Sequence, residues 1–193
     1  KCIVTQREVG IDTESFDIAL KNTLRQAPDV ILIGEVRNRE TMEHALAFAE
    51  TGHLAISTLH ANNSYHALSR IINMFPYDAR PGVLSDLSIG LRAIVCQRLV
   101  RSTQSGVLPA TEVLFNAASI AGLIADEQFD KVRGAMEMSA ADGMHTFDQS
   151  LFYLYQSGLI KLDEALRGST NPDEFRLRLA GIQSTTTSSR EVE

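Results

Sequence analysis

Apolar positions along the chain follow two periods, and their alternation predicts the architecture. Phe16, Ala19, Leu20, Thr23, Leu24 and Ala27 recur at the spacing of one helical face. That face predicts a helix capped by Asp12, Thr13 or Ser15 and ended by Pro28. Residues 30–33 are four branched apolar positions without alternation, the pattern of a strand covered on both faces. A second helix is expected over residues 39–51, with Met42, Leu46 and Ala49 inward and Gly52 as its stop. HLAISTL at 53–59 reads as another strand, and Ala67, Leu68, Ile71, Ile72 and Phe75 mark a helix over 64–75, closed by Pro76. KCIVT at 1–5 is β-branched and reads as a further strand. Helix, strand, helix, strand, helix with short loops is the order of an α/β parallel sheet with helices on both faces.

PYDARPG at 76–82 reads as a hinge, and the character changes after it. An apolar helix is expected over 83–95, then two strands, about 95–101 and 107–115, around the hairpin turn TQSG. Helical patterns follow over 117–125, 127–141, 146–157 and 161–167. Asn171-Pro172 opens a last helix to about Leu179. QSTTTSSREVE has almost no apolar content and reads as a disordered tail. The expected partition is therefore an α/β portion at 1–115, a mainly helical region at 116–182 and a tail at 183–193.

Composition narrows the function classes. The 193 residues are 44% hydrophobic, enough for a sizeable core. A net charge of −6 argues against a nucleic-acid surface. Cys2 and Cys96 give neither a disulfide framework nor a metal-ligand spacing, which places the chain in a reducing cytosol. No apolar run approaches the ~20 residues of a membrane helix, so no direct membrane insertion is expected. Lys1 opens straight into an apolar run, which reads as the carboxyl part of a longer polypeptide.

The candidate chemistry starts where strand 30–33 runs into Gly34, Glu35 and Arg37. Strand carboxyl ends form the ligand crevice of open parallel sheets. A carboxylate there can hold a water on a nucleotide-bound Mg²⁺, and Gly34 lets backbone approach a ligand. The alternative reading is a surface pair between Glu35 and Arg37 or Arg39. His60 ends the second strand at the same sheet edge as Glu35, where an imidazole can sense or polarise a phosphate. His53 opens that strand, and the odd spacing sets the two imidazoles on opposite faces, which argues against a shared zinc ion. His44 and His66 fall on helices as surface residues, and His145 in a loop or cap. No GxxxxGK[ST] occurs and no glycine-rich loop can cradle phosphates, so the chain by itself is expected to bind nucleotide poorly.

LRQAPDVILIGEVRNRET, residues 24–41, resembles the Walker B signature of the type II secretion and type IV pilus motor ATPases. Leu24, Arg25, Pro28, Asp29, Gly34, Glu35 and Arg37 match, and Asn38 stands where the family has Asp. ETGHLAISTLHANNS resembles the family's histidine box, mapping onto Thr51-Gly52-His53 and Thr58-Leu59-His60. TQREVGIDTESF is similar to the end of its acidic box, and CQRLVR at 96–101 to the segment after the core helix. The helical carboxyl region resembles the pilus-retraction branch, PilT and PilU. Ser119-Ile120-Ala121-Gly122-Leu123 stands where PilT proteins carry Ala-Ile-Arg-Asn-Leu, which points to the PilU side.

The resemblance implies part of a RecA-like ATPase core with a helical carboxyl region, in a homo-hexameric ring that can include a paralogous motor. ATP and Mg²⁺ are the implied cofactors. Pilus retraction and twitching motility are the implied work, at the inner face of the cytoplasmic membrane and against an inner-membrane platform protein. Glu35 takes the Mg²⁺/water role and His60 that of a γ-phosphate sensor. His53 is then a positioning residue, and Arg37 orients Glu35 or bridges subunits. The P-loop is expected upstream of Lys1, and the given chain alone is expected to be inactive. Two alternatives stand beside this reading. One is an assembly or secretion ATPase, against which the missing tetracysteine module argues. The other is a non-catalytic ring partner that regulates a motor.

Overall fold

The computed structural model describes residues 2–139 and 143–181; the tail read at 183–193 lies outside the described residues. The chain forms two units, Lys1–Ala93 with Asn116–Val132, and Ile94–Phe115 with Arg133–Glu193.

In the first unit, α1 spans Phe16–Thr23 and continues as a 3₁₀ turn over Leu24–Gln26. Ser15 is its cap, its hydroxyl oxygen accepting from the Ile18 N–H at 3.2 Å. Pro28 disfavours the right-handed helical region for the residue before it, and Ala27 adopts φ 46° instead. β1 (Val30–Ile33) and β2 (Leu54–Ser57) pair in parallel, Val30 against Leu54 and Ile33 against Ser57. Between them runs α2 (Arg39–Glu50), opened by the Asn38 side chain and closed before Gly52 at φ 89°. α3 (Ser64–Asn73) and α4 (Arg80–Gly90) follow, and α5 (Ala118–Ala125) packs on α4. Ile31, Ile33, Phe48, Leu68, Ile72, Phe75, Leu87, Ile120 and Ile124 are buried in this unit.

Several expectations give way here. No strand forms over the described part of 1–5; Ile3 and Val4 are exposed, and β-branched composition without a partner strand makes no ladder. β1 is covered on one face only: Ile31 and Ile33 are buried, while Val30 and Leu32 are 51% and 70% exposed beside Leu54 and Ile56. Among the described residues, helices therefore cover only one face of this sheet. The last three residues of the hinge read at 76–82 open α4, because Pro81 sits in the helix's first turn, where its missing N–H costs nothing; residues 76–79 form the turn before it. α4 ends at Gly90, so Ile94, read as helical, belongs to a strand.

The second unit holds β3 (Ala93–Arg101, its first residue belonging to the first unit) and β4 (Val107–Phe115), a two-stranded sheet turned at Gly106, φ 72°. It also holds α6 (Val132–Met138, its first residue closing the first unit), α7 (Phe147–Gln156), α8 (Leu162–Gly168) and α9 (Pro172–Leu179). The helix read over 127–141 is shorter and begins with a 3₁₀ turn at Phe129–Lys131; residues 140 and 141 lie outside the described residues. Val100 and Ala110 from the strands share a core with Phe147, Leu151, Ile160, Ala165 and Phe175. That packing departs from the partition drawn at residue 115. The hairpin buries its inner face against the carboxyl helices, whereas α5 belongs with the α/β unit. Arg133 links three helices, its guanidinium 3.0 Å from Glu137, 2.9 Å from Asp148 and 3.3 Å from Glu174.

Candidate functional site

The site lies where β1 and β2 end side by side. Past the strands the ladder is extended by one backbone bond, Val36 N–H donating to the Thr58 carbonyl at 2.9 Å. The Thr58 hydroxyl donates to the Gly34 carbonyl. Glu35 sits between these two anchored residues, and His60 two positions beyond Thr58. The result is a direct meeting of side chains, His60 Nε2 lying 3.1 Å from Glu35 Oε1. An ionised carboxylate only accepts, so Nε2 carries the proton in that bond. Arg37 takes the other oxygen, with Nε at 2.7 Å and Nη2 at 2.6 Å from Oε2.

The Glu35 carboxyl is held below the ordinary glutamate value. The hydrogen bond from Arg37 is the main cause, and the charges of Arg37, His60 and Arg70 add to it against a desolvation that pushes upward. Glu35 is 23% exposed, whereas Arg37 and His60 are 79% and 81% exposed. An anchored acid thus stands beneath an open guanidinium and an open imidazole. A Cβ built on Gly34 meets nothing within 4 Å, so the space beside the backbone there is clear for a ligand. Such a site can hold a water through the acid while the guanidinium faces an anion above it.

Both readings of Glu35 contain part of this geometry, since Arg37 does pair with it. Arg39 does not; it pairs with Glu43 at 2.6 Å. His53 is not brought to Glu35. β2 is shorter than the seven residues read, and His53 precedes it at the far edge of the sheet, with His60 beyond its end. There His53 Nδ1 approaches Thr51 Oγ1 at 2.9 Å and the Phe48 carbonyl at 3.3 Å. Thr51 already donates to the Ala47 carbonyl, so Nδ1 carries the proton and His53 fastens the turn from α2 to β2.

Three residues of this region were missed. Arg70 on α3 acts on Glu35 by charge, a long-range contact that spacing does not reveal. Asn63 is buried and caps α3, accepting from His66 N–H at 2.9 Å; Asn-then-Ser before a helical pattern is a readable cap signal. Thr58 was read only as a box position. Asn38, where the resemblance has Asp, caps α2 by accepting from Thr41 N–H at 3.0 Å, a duty that Asn and Asp share.

Other histidines and cysteines fall elsewhere. His44 is half-buried rather than a surface residue, 3.1 Å from Asp17, and with Glu40 these form one group of metal-type donors. Lys21 occupies Asp17 at 2.7 Å, and its ammonium opposes a cation there. His66 is exposed and tilted on Tyr65. His145 forms a bridge with Val113 and meets Thr111 at 3.0 Å, just before the Thr146 cap. Burial pushes the Cys96 thiol up to about 11, which leaves it protonated and unreactive at neutral pH. A groove lined by Ser69, Ile72, Asn73, Asp126, Glu127 and Phe129 contains none of the site residues.

The site is thus a strand-end acid in contact with a histidine that follows the neighbouring strand, on parallel strands covered on one face. Residues 5–149 match the Type II/IV secretion system protein family, and the chain belongs to that family. It is 53% identical over 179 residues to the type IV pilus ATPase PilU of Pseudomonas aeruginosa, covering 92% of this chain and 47% of that protein. It is 36% identical over 175 residues to the type IV pilus retraction ATPase PilT of the same organism, covering 91% of this chain and 51% of that one. The crystal structure of the pilus retraction motor PilT with bound ADP superposes with a TM-score of 0.81 at 42% identity, over 89% of this chain and 48% of that chain. The fold is thus part of a RecA-like core with a helical region, and the resemblance to the PilU side stands. The chain spans about half the length of the curated relatives it matches.

Proposed function

We propose that the full-length protein is an ATP-hydrolysing motor of the pilus-retraction kind, and that the Glu35–His60 pair is the hydrolytic end of its nucleotide site. The observation that carries the reading is the 3.1 Å contact between an anchored strand-end carboxylate and an open imidazole, inside a chain so similar to PilU and PilT. Glu35 orients the attacking water, and bound Mg²⁺ would neutralise phosphate charge, reached from Glu35 through water. His60, with its Nε2–H on Glu35, reports the γ-phosphate to that acid. Arg37 orients the Glu35 carboxylate and keeps it ionised. His53 fixes the turn that delivers β2. The phosphate cradle comes from the half of the relatives' length that this chain does not span. Assembly as a ring, alone or with a paralogous motor, and docking on a membrane platform belong to the same proposal.

The test is steady-state ATP hydrolysis by the full-length protein. Glu35→Gln keeps shape and removes the charge, and turnover is expected to fall by a factor of about 100 or more. Near-normal hydrolysis by Glu35→Gln would overturn the assignment.

A further inference from the structure

We infer that Thr58 is a positioning residue for Glu35, an inference that rests on the hydrolytic reading of Glu35 above. Both chain neighbours of Glu35 are bound to this one residue: the Gly34 carbonyl accepts from the Thr58 hydroxyl, and the Val36 N–H donates to the Thr58 carbonyl. β1 and β2 pair only as far as Ile33 and Ser57, so beyond them the parallel ladder has stopped. The Thr58 clasp takes its place for two more residues.

Its consequence is directional. Strand residues alternate faces, and a rotation of the peptide at 34–35 swings the Glu35 carboxylate away from His60. A displacement of about 1 Å at a reacting group is enough to cost about a hundredfold in rate. The hydroxyl contributes here through the main chain, by its bond to the Gly34 carbonyl. Its work is to hold the 3.1 Å Glu35–His60 contact in place. Valine copies the threonine shape without the donor, and serine restores the donor without the methyl.

The experiment compares Thr58→Val, Thr58→Ala and Thr58→Ser with Glu35→Gln in the full-length protein, each measured for ATP turnover and nucleotide affinity. Two donor-less variants keep the conclusion independent of how one of them folds. Thr58→Val and Thr58→Ala are expected to lower kcat about tenfold or more with KM for ATP changed less than about twofold, and Thr58→Ser to recover most of the rate. If Thr58→Val or Thr58→Ala turns over normally while Glu35→Gln is inactive, the clasp is wrong and the hydrolytic reading survives. Equal loss in kcat and in bound nucleotide, or a Thr58→Ser as slow as Thr58→Val, also overturns it. Normal turnover in Glu35→Gln overturns both.

Discussion

Glu35 shows how one residue answers two readings together. Its pairing with Arg37 and its meeting with His60 use different carboxylate oxygens, so neither excludes the other. The ion pair has a measurable signature. A carboxylate whose folded pKa lies below its unfolded value stabilises the fold above the unfolded value, and that contribution disappears as pH falls through the folded value. Glu35–Arg37 is therefore intact at neutral pH and lost only in acid, below the ordinary glutamate range. Carboxyl NMR titration of the chain is expected to give Glu35 a midpoint below ordinary glutamate, and Arg37→Ala to raise it toward that value. An unchanged midpoint in Arg37→Ala would show that another group holds the acid. What the sequence revealed of the site was the pair of strand-end residues, because apolar runs mark strand ends well. Arg70 stayed hidden because its influence on Glu35 crosses from α3 to β1, a tertiary relation without a local period.

At the scale of elements, caps decide how firmly the pieces around the site are set. Asn63 is buried at the start of α3, the helix that carries Arg70. Asn63→Ala is expected to cost about 1 kcal/mol of stability, read by urea unfolding of the chain. In the second unit, Arg133 neutralises Asp148, whose other oxygen accepts from Thr170 N–H at 2.7 Å. Arg133→Ala leaves that nearly buried carboxylate short of its counter-charge, with an expected loss of about 2 kcal/mol by the same method. α2, α3, α5, α7, α8 and α9 were legible to within two residues because each carries a 3.6-residue face, whereas α4 ends five residues before the reading and α6 begins five after it. Strand 1–5 was misread because four β-branched or apolar residues, Cys2 to Thr5, state a propensity and not a partner. The hairpin's allegiance was likewise invisible. Period-two alternation tells which side of β3 and β4 is buried, and not that α7–α9 are what bury it.

For the whole molecule, the bare face of the β1–β2 sheet is the main physical clue. Val30, Leu32, Leu54 and Ile56 form one exposed apolar patch on parallel strands, which are ordinarily covered on both faces. We expect the remainder of the full-length protein to cover it. Leu32→Lys with Ile56→Lys is then expected to leave the isolated chain folded by circular dichroism but to cripple folding of the full-length protein. Equal tolerance in both would leave the patch without an intramolecular partner. The missing phosphate cradle makes a matching statement about activity: the purified 193-residue chain is expected to hydrolyse no ATP above background. The central claim, that Glu35 drives the chemical step and not nucleotide capture, is tested most directly by identifying the nucleotide held by full-length Glu35→Gln after incubation with Mg·ATP. The account predicts bound ATP, intact over many wild-type turnover times. Bound ADP formed at the wild-type rate would contradict it.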